Sequence, residues 1–200
     1  MLKKKIPIRS HTGEFRKTNS SNKKYLVEDF DHRCAYCDDL DKISGGYDSY
    51  HVEHFAPKEK FSELKFMYDN LLYACPYCNR CKNDDWPSDD PKVSVVDNKG
   101  YVDPCTKEYY NHLDRNEMTG NIIFKTELGE YMYNKMKLYL RRHAIIYMLD
   151  KLSLKRGELK KSIDKDKEHD KNTVEKEAIL RSIDDEFFKY YYEYNDEQST

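Results

Sequence analysis

Two C-x-x-C pairs constrain this chain more than any other feature: Cys34-Ala-Tyr-Cys37 and Cys75-Pro-Tyr-Cys78, with 37 residues between them. Two residues between cysteines let one turn aim both sulfurs at one point. Two such turns complete a tetrahedral four-thiolate shell, the arrangement that structural zinc prefers. A site of that kind is closed, so it holds a fold together rather than performing catalysis. Cys81, three residues after Cys78, is a competing ligand, and Cys105 reads as a buried thiol. An iron-carrying electron-transfer site would use the same four cysteines.

A staple is what this composition needs. Hydrophobic residues make up 38% of the 200 residues, and 18 of them are Tyr. The strictly apolar fraction is far below that of an average globular chain, so the core is expected to be thin. Met1 to Ser10 carries three lysines without a following apolar stretch, so no secretory signal is read there. The cysteines are therefore expected to stay reduced in a cytoplasmic protein. The longest apolar runs, such as Ala144 to Leu149, are far short of the roughly 20 residues that span a bilayer.

Around the cysteines lies a second set of residues. The strand candidate Tyr50 to Phe55 contains His51, Glu53 and His54, and Pro57 ends it; its two-residue period puts His51 and Glu53 on one face. Asn70 precedes Leu71-Leu72, and Asn79 follows the second cysteine pair directly. Two His, one Glu and two Asn at set offsets from a metal scaffold are hard to explain as ordinary satisfied polar residues.

These residues resemble the HNH endonucleases of the zinc-stapled ββα-metal type. The pattern of that family runs C-x-x-C, an acidic residue and His followed by Pro, Asn-Leu, then C-x-x-C with Asn or His and a Lys shortly after. Here it reads Cys34/Cys37, Glu53-His54-Phe-Ala-Pro57, Asn70-Leu71, and Cys75/Cys78-Asn79 with Lys82, over about residues 30 to 83. The resemblance implies an α+β fold: a ββα-metal core with a four-cysteine zinc site, followed by a mainly helical C-terminal region. It implies His54 as general base, Glu53 and Asn79 as ligands of a catalytic Mg2+ or Mn2+, and Asn70 as the residue that fixes the loop of the base. His51 would assist the metal or the phosphate. Most members have Asp where this chain has Glu53, which alters the reach of that carboxylate. The residue types suit phosphodiester hydrolysis on their own account, since a His can deprotonate water near neutral pH and a lightly held divalent cation can absorb developing charge.

The rest of the chain divides by charge. Residues 1 to 33 carry nine basic and four acidic side chains, net +5; residues 34 to 90 carry six and twelve, net −6; the remaining stretches are near neutral. An acidic catalytic segment binds polyanions poorly. Nucleic acid, with DNA favoured over RNA but not decided by the sequence, would be held by Arg80 and Lys82 beside the site, by Arg141 and Arg142 on a helix face, by the basic arm (Lys3, Lys4, Lys5, Arg9, Arg16, Lys17, Lys23, Lys24), or by a basic partner. Three regions are expected: an arm at 1 to 24, the core at 25 to 91, and a mixed then helical region at 92 to 200 for partner or substrate docking.

Smaller elements follow from local pattern. A short strand is expected at Ile6 to Ile8, helical turns at Tyr25 to Phe30, and strands at Val93 to Asp97 and Asn121 to Lys125. Apolar residues recurring at the helical period predict one helix over Leu128 to Leu149 and a second near Leu152 to Ile163. Asp164 to Lys171 reads as a charged linker, and Asn172 with Glu175 as the capping box of a last helix to about Tyr194, whose face carries Val174, Ile179, Ile183, Phe187 and Tyr191. The words Tyr101-Val-Asp103-Pro104, Asn111-His112-Leu113 and Gly120-Asn-Ile-Ile, with Leu152, Leu154 and Arg156, resemble the HNH subunit of Septu-type bacterial defence systems, PtuB. That resemblance implies an ABC-type ATPase partner, PtuA-like, and an association with retrons. The competing reading is a zinc-stapled binding module without catalytic activity.

Overall fold

The computed structural model describes residues 2, 5–12 and 18–198. Lys3, Lys4, Arg16 and Lys17 of the expected basic arm lie outside the described residues. Helix α1 covers Asn19–Asp29, opened by Thr18, whose side chain accepts a hydrogen bond from the Ser21 amide. It starts earlier than the expected turns because Thr18 is an effective N-cap. Ile6 to Ile8 forms no strand, and Leu2 is buried in the core. Arg9 is not free for substrate either: it forks onto Asp103 (2.8 and 3.2 Å) and donates to the Leu71 carbonyl.

The centre is a two-stranded antiparallel hairpin, β1 (His51–His54) and β2 (Leu71–Ala74), with Glu53 opposite Leu72 and His54 opposite Leu71. The short helix α2 (Gly46–Ser49) precedes it. Helix α3 (Pro76–Lys82) follows β2 directly, with Cys75 as N-cap and Pro76 in its first turn. All four β2 residues are buried, and Tyr50 and Tyr73 stack at 4.8 Å, so tyrosine supplies core that aliphatic residues do not. Together β1, β2 and α3 make the expected ββα unit, and the mainly helical C-terminal region is present as well.

Beyond the unit come two small hairpins, β3 (Val95–Val96) with β4 (Lys99–Gly100), and β5 (Leu113–Arg115) with β6 (Ile122–Phe124). The four-residue helix α4 (Tyr109–His112) lies between them. The helix expected over Leu128 to Leu149 is two helices, α5 (Glu127–Lys135) and α6 (Arg141–Glu168). Lys137 takes φ of +52°, and the Leu138 amide reaches back to the Tyr133 carbonyl, a Schellman stop made without glycine. Met136 and Leu138 stay buried through the break, which is why apolar periodicity runs across it.

Helix α6 also absorbs the expected second helix and most of the charged linker. Lys and Glu propagate a helix well when no Pro interrupts it, and Lys167 pairs with Glu177 across the turn at 2.8 Å. Helix α7 (Val174–Gln198) then packs antiparallel on α6. Its start differs from a capping box: Asn172 accepts from the Val174 amide, and Thr173 donates to Glu177 rather than Glu175 reaching back. Ile179, Phe188, Tyr191 and Tyr192 remain exposed on it. No described helix is long and apolar enough to cross a membrane.

Candidate active site and metal centre

The two C-x-x-C turns meet as the spacing requires. Cys34, Cys37, Cys75 and Cys78 are all buried, and their sulfurs lie within 4.8 Å of one another. The Cys37–Cys75 separation is 3.8 Å; a tetrahedron with the usual Zn–S bonds has edges of about 3.8 Å. Without a cation the four sulfurs could not all ionise: burial drives Cys37 and Cys75 up, while hydrogen bonds from its three neighbours pull Cys34 down against burial. The donor set therefore fits zinc. Cys81 stands apart beside Arg80, and Cys105 is half-buried rather than enclosed.

The other centre is open. A cavity of about 480 Å³ is lined by Lys23, His51, Glu53, His54, Lys58 and Asn79, among others. Strand β1 supplies the two His and the Glu, and α3 brings Asn79 to the same wall one residue after Cys78. The cage thus sets where Asn79 points. His54 places Nε2 at 3.0 Å from the Lys65 carbonyl. A carbonyl only accepts, so Nε2 carries the proton and Nδ1 keeps its lone pair. Burial, with Lys58 and Lys82 nearby, holds the ring below the ordinary histidine range, partly offset by the Lys65 carbonyl. Asn70 accepts from the Ala56 amide and donates to the Ala56 carbonyl, both at 2.8 Å. That two-way clamp fixes the loop leaving His54.

Glu53 is almost fully buried, and its Oε1 is 3.1 Å from Lys82 Nζ. Burial pushes its carboxyl up to about 7, against the pull of the lysine. Lys82 is itself completely buried and donates to the His54 carbonyl at 3.1 Å. It therefore cannot serve as the expected nucleic-acid contact; its charge is spent inside, on the backbone and side chain of the two central residues. Arg142 is also corrected: it is buried, 3.2 Å from Asp39, with its guanidinium 3.7 Å over the Tyr77 ring. Arg141 is exposed but forked onto Glu193. Of the four expected contacts only Arg80 stays at the site, on a second cavity that shares Asn83 with the first. His51 is exposed on the cavity wall, where burial first, then Lys23 and Arg80, lower its affinity for a proton.

Residues 34–85 match the family model of HNH endonucleases. This segment is an HNH domain. A search of curated proteins finds no match to the chain. The match begins at the first cysteine of the cage and contains the whole of β1, β2 and α3, so the HNH domain and the ββα unit coincide. Two features of its site were not legible in the motif. Lys58 on the cavity wall follows Pro57 with no spacing signal, and the inward role of Lys82 depends on Trp86 and Tyr101, which roof it at 5.9 and 5.3 Å.

Proposed function

We propose that the protein is a metal-dependent endonuclease that hydrolyses phosphodiester bonds of nucleic acid, DNA rather than RNA, with His54 as general base. The observation that carries this reading is the convergence of His54, Glu53 and Asn79 on one open cavity within an HNH domain. With Nε2–H committed to Lys65, Nδ1 is the atom that takes a proton from water. General-base assistance of this kind is worth about 10²–10⁴-fold. Asn70 holds the base through Ala56, and Lys82 keeps Glu53 oriented by occupying one of its oxygens. Glu53 and Asn79 offer a carboxylate and an amide oxygen, which suits a hard Mg2+ or Mn2+ bound by few protein ligands. Such an ion supplies Lewis-acid stabilisation of the charge that develops at phosphorus and at the leaving 3′ oxygen, giving 5′-phosphate and 3′-hydroxyl ends. Lys23 and Arg80 make the cationic approach to the cavity, and His51 lines it as a neutral imidazole.

We further propose that this nuclease is the effector of a bacterial antiviral complex with an ABC-type, PtuA-like ATPase, associated with a retron, and that it works in the cytoplasm. The short PtuB-like words of the C-terminal half support this, as does the net −6 charge over residues 34 to 90, which leaves substrate affinity to a partner. In this division of labour residues 25 to 91 do the chemistry, and residues 92 to 200 dock the partner or substrate. The test is plasmid cleavage with Mg2+ or Mn2+, with and without the ATPase, for wild type and His54→Ala. Nicking by wild type alone, strongest in the complex, is expected. Equal nicking by both proteins would remove His54 as the base, and no nicking under any condition would favour a binding module.

A further inference from the structure

The zinc cage sits in an unusually negative surrounding. The first knuckle continues Cys37-Asp-Asp; Asp38, Asp39 and Asp41 are all buried, and an Asp39 oxygen lies within 4.8 Å of the Cys37 sulfur. A tetrathiolate zinc site already carries a net charge of about −2. Buried charge of one sign is tolerated only when it is paired. Among the described residues the HNH domain supplies the Tyr73 hydroxyl, on Asp41, but no cation to these three carboxylates. Of its own cations, Lys82 is committed to Glu53 and His54, and Arg80 faces the second cavity.

The pairing comes from residues before and after the domain. Asp38 faces Arg33 at 3.6 Å. Asp39 Oδ2 receives both Arg142 Nη1 (3.2 Å) and His143 Nδ1 (2.8 Å), from the first turn of α6. Arg115, buried at the end of β5, donates to the Cys37 carbonyl (2.6 Å) and to the His143 carbonyl (3.2 Å). It also holds Gly120, where a side chain would come within 2.7 Å of the Ala144 carbonyl of α6. His143 stands closest: its ligand nitrogen, an Asp39 oxygen and the Cys37 sulfur lie within 4.8 Å of one another. His143 Nε2 and Asp39 Oδ1 are buried with no hydrogen-bond partner among the described residues. The geometry therefore puts a His143 nitrogen and an Asp39 oxygen, themselves joined by a 2.8 Å hydrogen bond, directly next to a cage sulfur.

We propose that Arg115, Arg142 and His143 are the outer shell of the zinc site, so that zinc retention and the docking of α6 on the HNH domain are one coupled event. The C-terminal region is then not an appendage to a self-sufficient nuclease core. It supplies the countercharge that the first knuckle lacks, and losing the metal would release the start of α6 from Asp39. These are positioning residues: none is a ligand, and each acts on the ion through Cys37 or Asp39. Outer-shell partners of this sort typically change metal affinity about 10–100-fold.

The inference rests on zinc as the resident ion, so metal content of the purified full chain is measured first; a protein without zinc overturns that reading along with the coupling. On zinc-loaded protein, the rate of zinc transfer to a chromogenic chelator is compared for wild type, Arg142→Met, His143→Gln and the control Arg141→Met, which alters contacts with Glu193 and Tyr190 of α7 and none with Asp39. Release about 10–100-fold faster in the first two variants and unchanged in the control is expected. Cobalt-substituted samples should show a shifted thiolate-to-metal charge-transfer band for His143→Gln, a change that general loosening of the fold would not produce. Should a variant fail to fold, hydrogen exchange of the wild-type chain decides: on chelation, amides of 141–152 should lose protection together with those of 34–41. Wild-type release rates and cobalt spectra in both variants, or protection of 141–152 that survives chelation, would overturn the proposal.

Discussion

The β1–β2 hairpin separates two polar centres built on opposite plans. At its His51–Ala74 end the cysteine cage is sealed: its four sulfurs are buried, and their charged neighbours are met by Arg33, Arg142 and His143. At the His54–Leu71 end the donors are divided. One nitrogen of His54 and one oxygen of Glu53 are committed to the protein, through Lys65 and Lys82, while the cavity lies open beside them. A site that only holds a fold turns every ligand inward. A site that acts on an outside molecule fixes each group by one atom and leaves the other for what arrives.

That contrast breaks most visibly at the cage. Cys75→Ser removes a cage sulfur that is also the N-cap of α3, so loss of cooperative unfolding and of bound zinc is expected, read by thermal circular dichroism and metal analysis. A cooperative transition retained without zinc would mean that the cage is not the staple. His54→Ala should have the complementary profile. Cleavage in single turnover is expected to fall about 10²–10⁴-fold, with the melting temperature close to wild type because only Nε2 is bonded to the fold.

Lys82→Met tests where the two plans touch. Removing one member of a buried ion pair leaves the other uncompensated and costs about 3–5 kcal/mol, which urea denaturation would measure. Pairing it with Glu53→Gln should recover part of that loss, since no charge is then left buried. If the single and double variants are equally destabilised, Lys82 contributes through its packing on Trp86 and Tyr101 rather than through Glu53.

The ββα unit was readable because its constraints are local and chemically narrow: a C-x-x-C turn, an acidic residue before a His, a Pro after the strand. Charged residues were read less well, since a lysine or arginine in a sequence looks the same whether it faces solvent or a buried carboxylate. Lys82 and Arg142 read as substrate contacts, and the fold turns both inward. Helix ends failed for a related reason. Lys137 stops α5 in a left-handed conformation that usually announces itself as Gly, and Leu140 opens α6 without a side-chain cap. The Thr18 cap was present in the sequence, but the surrounding Lys, Ser and Asn read as a solvated arm.

The smallest expected effect lies where the HNH domain meets the rest of the chain. Asp85, its last residue, accepts from the Tyr101 hydroxyl at 2.7 Å and the Tyr131 hydroxyl at 2.9 Å, with Lys135 at 3.5 Å. Burial alone would raise its carboxyl, yet these donors hold it below the ordinary carboxylate range. A carboxyl that is more acidic folded than unfolded adds stability above its unfolded pKa, and that contribution disappears as the pH falls through the folded value. Asp85→Asn should therefore be less stable than wild type at neutral pH, with the difference shrinking as the pH drops from about 5 towards 3. Urea denaturation across that range checks it. A difference that stays constant would show that the two tyrosines need the shape of the side chain and not its charge, and that the seam between the domain and its helical partner is closed by packing alone.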